Sequence, residues 1–198
     1  MDVKIGMNML LWGVQIDSEH IPVFSALREC GYDGVEIPVT GQSASELQKM
    51  ASACDELGLE RTASALVGAE VNPISPDPAV RDAALANLKQ SIDGANLIGA
   101  DILIGGIYQA HKYFTGAAAT DEEWQWSADY LHAGGEYAQG RGVRLGLEFL
   151  NRFEVFLINT SADCKRMVEQ VGLTNVGVHY DTHHANIEDP APSEAIAN

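Results

Sequence analysis

Basic residues are scarce in this sequence. Its 198 residues include 12 lysines and arginines against 28 aspartates and glutamates, which gives a formal net charge of −16. So acidic a surface repels phosphate backbones, and no basic stripe is left to bind one. We therefore expect no nucleic-acid partner, and the acidity by itself indicates only a well-solvated surface.

Cysteines and long apolar runs are also few. The longest apolar stretch, residues 98–107, is interrupted by Asp101 and falls far short of the ~20 residues that a membrane-spanning helix needs. The first residues lack the basic-then-apolar order of a signal peptide. Cys30, Cys54 and Cys164 are isolated and odd in number, which favours buried or semi-buried thiols in a reducing compartment. We expect a cytoplasmic protein with no membrane partner.

Short apolar runs alternate with amphipathic stretches along the whole chain. No linker or low-complexity tract divides it, so we expect one domain over residues 1–198. The predicted strands are 3–9, 34–37, 61–66, 101–107, 143–149 and 176–181, and the predicted helices are 20–30, 45–57, 78–98, 121–139 and 161–171, with another beginning near Pro192. This alternation is typical of an α/β fold with a parallel sheet and right-handed crossovers.

Two architectures have this element order, an open doubly wound sheet and a closed barrel. An open sheet usually binds its ligand at a glycine-rich first turn, and no such turn follows the first predicted strand. Polar residues instead recur at strand ends, as in a (β/α)8 TIM barrel, whose site lies at the carboxyl ends of its strands: Asn8, Glu36, Glu148 and Asp181. A complete barrel takes about 250 residues, so we predict that this chain supplies about six strand–helix units of one.

Two segments place carboxylates where metal chemistry would need them. Glu148 ends an almost wholly apolar strand, where a charge is costly unless it is paired, bound to a metal or protonated. Asp181 ends the next strand, and His184 follows three residues later. Carboxylate oxygens and imidazoles suit a divalent cation such as Mn²⁺, Mg²⁺, Co²⁺ or Zn²⁺. A purely structural ion pair, for example between Glu154 and Arg152, is the alternative interpretation.

Three further polar residues have less specific surroundings. His179 lies two residues before Asp181 on the same strand face, and we interpret it as a hydrogen-bonded core histidine rather than a site residue. For Glu36, a role in the pocket and a local ion pair are equally compatible with the sequence. His111 follows the fourth strand and is interpreted as a loop residue.

The two carboxylate segments resemble motifs of the D-tagatose 3-epimerase and D-allulose (psicose) 3-epimerase family, within the xylose-isomerase-like barrel superfamily. Residues 148–154 are similar to its Glu-x-Leu-Asn-Arg-Phe-Glu stretch. Residues 181–189 are similar to its Asp-Thr-Phe-His-x-Asn-Ile-Glu-Glu stretch, with His183 in place of the phenylalanine. The similarity extends in order over essentially the whole chain.

The resemblance implies an isomerase of carbohydrate metabolism that epimerises a ketohexose at C3 through a cis-enediolate, with two carboxylates and a divalent metal, Mn²⁺ first and Mg²⁺ or Co²⁺ as alternatives. It implies that Glu148 is a metal ligand and one of the two catalytic carboxylates, and that Asp181 is a second metal ligand. Glu154 and His184 match residues that bind sugar oxygens. Asn8, the third substrate-binding candidate, falls where the family has an aromatic pocket wall.

The family's third metal ligand, a histidine, and its second catalytic glutamate would lie beyond Asn198. We therefore expect residues 1–198 alone not to epimerise sugar. Unpaired parallel strand edges favour pairing with another chain, so a homo-oligomer is expected. The alternatives are a hydroxypyruvate- or inositol-type isomerase, a protein like an apurinic endonuclease, which would need histidines at the ends of strands three and four, and an inactive barrel serving as a binding or assembly module.

Overall fold

Six parallel strands alternate with six helices in the computed structural model, which describes residues 3–193. The strands are β1 (Gly6–Asn8), β2 (Gly34–Pro38), β3 (Glu60–Ser64), β4 (Ile102–Gly105), β5 (Arg144–Glu148) and β6 (Val176–His179). The helices are α1 (Ile21–Glu29), α2 (Ala44–Leu57), α3 (Pro78–Leu97), α4 (Asp121–Gln139), α5 (Ser161–Val171) and α6 (Thr182–Glu188), with short 3₁₀ helices at Met9–Leu11, Ser18–His20 and Ala69–Val71. Within this range, no helix has both the length and the apolar character needed to cross a membrane.

The helix ends follow from local side-chain chemistry. Ser43 and Thr160 accept hydrogen bonds from backbone N–H groups in the first turns of α2 and α5. Thr120 does the same for α4, and the Glu123 carboxylate accepts a bond from the Thr120 backbone N–H, which completes a capping box. Gly58 and Gly172 adopt the left-handed conformation just past α2 and α5, which glycine does without steric cost.

The sheet has the strand order β1-β2-β3-β4-β5-β6, with every neighbouring pair parallel. Consecutive neighbours joined by helices are the arrangement of a TIM barrel, which confirms the predicted α/β class and barrel-like order. Asn8 lies opposite Glu36 in the register, and Glu148 lies opposite His179. The carboxyl ends of β1, β2, β5 and β6 therefore bring Asn8, Glu36, Glu148 and Asp181 to the same end of the sheet.

Close backbone packing at that end of the sheet requires a glycine at the end of β4. Gly105 has a φ of 137°, and a Cβ at this position would collide with the carbonyl oxygen of Ala65. No residue with a side chain fits there without backbone movement. The loop that contains His111 follows directly after this glycine.

Three sequence-based expectations differ from the structure. Most strands are shorter than predicted, β1 most of all, because apolar residues extend beyond the hydrogen-bonded register. The α6 helix was not predicted, although Asp181 caps it by accepting a bond from the N–H of His183 at 2.6 Å. Cys30 is exposed, unlike the buried Cys54 and Cys164, because it directly follows the last turn of α1. The helix predicted from Pro192 onward lies largely outside the described residues.

Candidate active site

A cavity of about 700 Å³ extends from the amino-terminal side of the strands, where Lys4, Asp33 and Glu60 line it, to their carboxyl ends. Its lining includes every residue that the sequence analysis proposed for the site: Asn8, Glu148, Glu154, Asp181 and His184. Glu36 and His111 line it as well. The volume is within the range of small-molecule sites.

Among residues 3–193, Glu148, Asp181 and His184 form one of two groups whose side chains could hold a metal ion; the other is Glu154, His183 and His184. One ligand atom from each lies within 4.8 Å of the others. Nε2 of His184 is 3.9 Å from Oε1 of Glu148 and 3.9 Å from Oδ2 of Asp181. These three residues come from the end of β5, the turn after β6 and the first turns of α6, so the predicted meeting of Glu148 with Asp181 occurs.

The two carboxyl groups are electrostatically crowded. Burial raises the pKa of Glu148 to about 8, and the neighbouring carboxylate of Asp181 adds to the increase. Burial also acts to raise the pKa of Asp181, but hydrogen bonds from the His183 N–H and from Glu148 bring it below its usual value. At neutral pH the two carboxyl groups thus share a proton, and a hard divalent cation in place of that proton would neutralise both carboxylates.

Hydrogen bonding fixes the tautomer of His184. The backbone N–H of Asn151 donates to Nδ1 of His184 at 3.1 Å, and the Asn151 side-chain amide contacts the same atom at 2.9 Å. A nitrogen that accepts a backbone N–H carries no proton, so the neutral imidazole is protonated at Nε2. Burial lowers the pKa of His184, which favours that neutral form. Nε2 therefore presents an N–H donor to the site and offers no lone pair to a cation.

Glu154 faces the cavity through a second set of contacts. Its Oε1 accepts from Nδ2 of Asn151 at 3.0 Å, and its Oε2 lies 2.9 Å from Nε2 of His111. Burial alone would raise the pKa of Glu154, but the hydrogen bonds from His111 and Asn151 lower it below its usual value. The alternative pairing of Glu154 with Arg152 is not the one observed, since Arg152 pairs with Glu188 at 2.6 Å.

Asn8 and Glu36 form one side of the cavity together. The Asn8 amide donates to Oε1 of Glu36 at 2.8 Å, while its carbonyl accepts from the N–H of Leu10 at 2.8 Å. Thr62 donates to the other oxygen of Glu36 at 3.2 Å. Burial raises the pKa of Glu36 to about 7. Glu36 is thus a pocket residue held by neutral donors.

Two histidines differ from their sequence-based interpretation. His111 is not merely a loop residue, because it bonds Glu154 within the cavity. His179 is not hydrogen-bonded: its buried Nδ1 has no partner among residues 3–193 and lies 4.0 Å from Oε2 of Glu148. The only sequence signal for His111 was its place just after β4, where barrel loops carry functional groups.

Comparison with known proteins defines the class to which this fold and site belong. Residues 24–198 match the model of the xylose isomerase-like TIM barrel family, and the chain belongs to that family.

Its relatives within the family are sugar epimerases. The chain is 32% identical over 188 residues to the ketose 3-epimerase of Arthrobacter globiformis, a match that covers 94% of this chain and 65% of the relative. It is 29% identical over 194 residues to the L-ribulose 3-epimerase of Mesorhizobium japonicum, covering 98% of this chain and 65% of that protein. The chain thus spans just under two thirds of the length of these relatives.

Solved structures agree with this relationship. An L-ribulose 3-epimerase superposes with a TM-score of 0.90 at 29% identity, covering 98% of this chain and 66% of that one. The D-psicose 3-epimerase of Clostridium cellulolyticum H10, determined with D-tagatose, superposes with a TM-score of 0.89 at 27% identity, covering 98% and 69%.

Proposed function

We propose that the whole protein is a metal-dependent ketose 3-epimerase and that this chain carries the part of its site that binds the cation and one face of the sugar. The observation that carries the proposal is the juxtaposition of Glu148, Asp181 and the Nε2–H of His184 in one cavity. The names of the relatives, ketose 3-epimerase and L-ribulose 3-epimerase, support a ketose as the substrate class.

Glu148 and Asp181 are the residues that we propose hold the cation. Both supply carboxylate oxygens, the donors preferred by Mn²⁺, Mg²⁺ and, with less preference, Co²⁺, and we propose Mn²⁺ as the first choice. A bound cation would relieve the repulsion between the two carboxylates. It would also polarise the ketose carbonyl and the adjacent hydroxyl, which acidifies the C3 proton.

Glu148 is the proposed general base. Burial and the neighbouring carboxylate of Asp181 raise its pKa in the metal-free site, and a bound cation would lower it again, which leaves a carboxylate able to take a proton from C3 and return it. It removes the proton from C3 and leaves an enediolate. The Nε2–H of His184 donates to a sugar oxygen on which negative charge develops.

Glu154 and Asn8 are the remaining proposed sugar contacts. Glu154 keeps lone pairs free after accepting from His111 and Asn151, so it can also accept from a sugar hydroxyl. Asn8 already uses its amide on Glu36, so it forms a polar wall of the pocket with that residue. Inversion at C3 requires a second proton donor on the opposite face of the enediolate, and we propose that this group belongs to the part of the relatives' length that this chain does not span.

Two further properties of the protein are proposed with the function. In this chain taken alone, β1 and β6 are the outer strands of the described sheet, and parallel edges can pair with another chain, so we propose a homo-oligomer of this chain. The three thiols are free, in keeping with a reducing compartment, and we propose the cytoplasm as its location.

Mn²⁺ binding, followed by electron paramagnetic resonance, tests the cation site. We expect Glu148→Gln and Asp181→Asn each to weaken Mn²⁺ binding by at least about tenfold, since even outer groups around a metal contribute that much. His184→Gln, which keeps an N–H donor, should leave Mn²⁺ affinity unchanged. Glu56→Gln removes an exposed carboxylate of α2 and is the matched control.

Either of two results would contradict this assignment. Mn²⁺ affinity that is the same in Glu148→Gln and in the control would remove Glu148 from the metal site. Loss of affinity in His184→Gln as large as in Glu148→Gln would show that His184 is a ligand and that its tautomer is wrongly assigned.

A further inference from the structure

His111 reaches Glu154 from a different loop of the barrel. It lies between β4 and α4, 43 residues before Glu154, and its Nε2 is 2.9 Å from Oε2 of that carboxylate. A carboxylate can only accept, so the proton of this hydrogen bond is on Nε2 of His111. The two side chains are each about a quarter exposed, at 27% and 29%, so the bond faces the cavity.

Backbone hydrogen bonds also hold the segment that carries His111. The N–H of His111 donates to the carbonyl of Val67 at 2.9 Å, and the N–H of Lys112 donates to the carbonyl of Glu154 at 2.8 Å. Lys112 has a φ of 57°, a left-handed conformation that is costly for a residue with a side chain. Glu154 is therefore held twice by one short segment, at its backbone and at its carboxylate.

The contact continues to the other proposed sugar-binding group. Asn151 donates to Oε1 of Glu154 at 3.0 Å and contacts Nδ1 of His184 at 2.9 Å. A row of four side chains thus runs from His111 through Glu154 and Asn151 to His184. Fixing the first member restricts the rotation of the Glu154 carboxylate and, through Asn151, the orientation of the His184 ring.

We propose that His111 is a positioning residue that holds the Glu154 carboxylate in the orientation that accepts a sugar hydroxyl. The role in sugar recognition rests on the proposed function, whereas the hold on Glu154 does not. A carboxylate fixed before the sugar arrives loses less rotational freedom on binding, so the benefit should appear as ketose affinity. His111 contacts neither Glu148 nor Asp181 in the described structure, so cation binding should not depend on it.

Two variants separate the hydrogen bond from the shape of the ring. His111→Phe keeps a planar ring and removes the donor, while His111→Gln keeps an N–H near the position of Nε2. The pKa of the Glu154 carboxyl is measured by ¹³C NMR on the metal-free chain. The affinity for D-psicose is measured by calorimetry on the Mg²⁺-loaded chain, with Glu154→Gln and Glu56→Gln as references.

We expect His111→Phe to raise the pKa of Glu154 and to weaken D-psicose binding by about tenfold, the size of a lost hydrogen bond to a charged group. His111→Gln should bring both the pKa of Glu154 and the affinity for D-psicose most of the way back to their wild-type values. The affinity for Mn²⁺ should be the same in all variants. A residue that only stabilises the fold would lower the melting temperature and Mn²⁺ affinity in both substitutions alike.

The outcomes distinguish this proposal from the proposed function. If the pKa of Glu154 is unchanged in His111→Phe, His111 does not position the Glu154 carboxylate, regardless of the D-psicose affinity. A raised pKa with unchanged D-psicose affinity, while Glu154→Gln binds weakly, overturns the role in recognition and leaves the proposed function standing. Absence of ketose binding by the wild-type chain, with the pKa change present, overturns the proposed function and the recognition role that rests on it.

Discussion

Tyr108 anchors the loop that carries Asn151 and Glu154, and its hydroxyl is the perturbation whose cost can best be worked from the structure. The ring is fully buried. Its hydroxyl donates to the carbonyl of Ile158 at 2.9 Å and accepts from the N–H of Leu150 at 3.1 Å. One side chain from the loop after β4 thus binds both ends of the segment that leads from β5 to α5.

Tyr108→Phe would remove the hydroxyl and little else. The Leu150 N–H and the Ile158 carbonyl would remain buried without this partner, since both residues are at most 4% exposed. Each unsatisfied buried group costs about 1–3 kcal/mol, so we expect the two together to lower the free energy of unfolding by about 2–6 kcal/mol. That is a large share of the ~5–15 kcal/mol typical of a folded domain.

Urea unfolding followed by far-ultraviolet circular dichroism measures this loss. Tyr130→Phe is the matched control, because Tyr130 is also buried but its hydroxyl has no hydrogen-bond partner among the described residues. We expect the control to cost under about 1 kcal/mol. Equal losses in the two variants would refute the view that the hydroxyl of Tyr108 fastens the loop.

The remaining predictions concern the buried carboxyl groups. Folding raises the pKa of Glu148 to about 8 and of Glu36 to about 7, and it lowers the pKa of His179 and His184. Between pH ~7 and ~8 the histidines are mostly neutral in both states, so the folded chain binds more protons than the unfolded chain. The free energy of unfolding of the metal-free chain should therefore fall as pH rises through this range. Urea unfolding in the presence of EDTA measures this free energy at each pH. If it falls with pH as steeply in Glu148→Gln as in the wild type, the prediction is wrong. Mn²⁺ should raise the melting temperature by more at a pH above ~8 than at pH ~6, because deprotonated carboxylates bind it. Thermal scans that show the same increase at both pH values would contradict the cation site.

Much of the site could be predicted from the sequence because the pattern of apolar and polar residues indicates where the strands end. A carboxylate directly after an apolar strand, in a chain of alternating strands and helices, identifies Glu148 and Asp181 without knowledge of their contacts. The residue pattern also indicated His184, three residues after Asp181, and the resemblance then gave Glu154 and His184 their expected roles as sugar contacts. The structure brings all four into one cavity.

The parts that sequence patterns missed depend on contacts between distant segments. His111 and Glu154 are 43 residues apart, and nothing local to either one indicates the other. The pairing of Arg152 with Glu188, 36 residues away, replaced the nearer partner for the same reason. The tautomer of His184 follows from its hydrogen bond with the backbone N–H of Asn151, a contact between segments 33 residues apart that no sequence pattern indicates.

Exchange of the C3 proton of a ketose is the measurement that tests the central claim most directly. The purified chain is incubated with Mn²⁺ in D₂O together with D-psicose or its C3 epimer, D-fructose, and deuterium at C3 is followed by NMR. With Glu148 on one face only, a proton is taken and a deuteron returned to the same face. We predict slow deuterium incorporation into one of the two sugars, no interconversion between them, and no incorporation with Glu148→Gln. Absence of exchange in the wild-type chain, or equal exchange in Glu148→Gln, would contradict the account, and interconversion would mean that the chain holds its second proton donor after all.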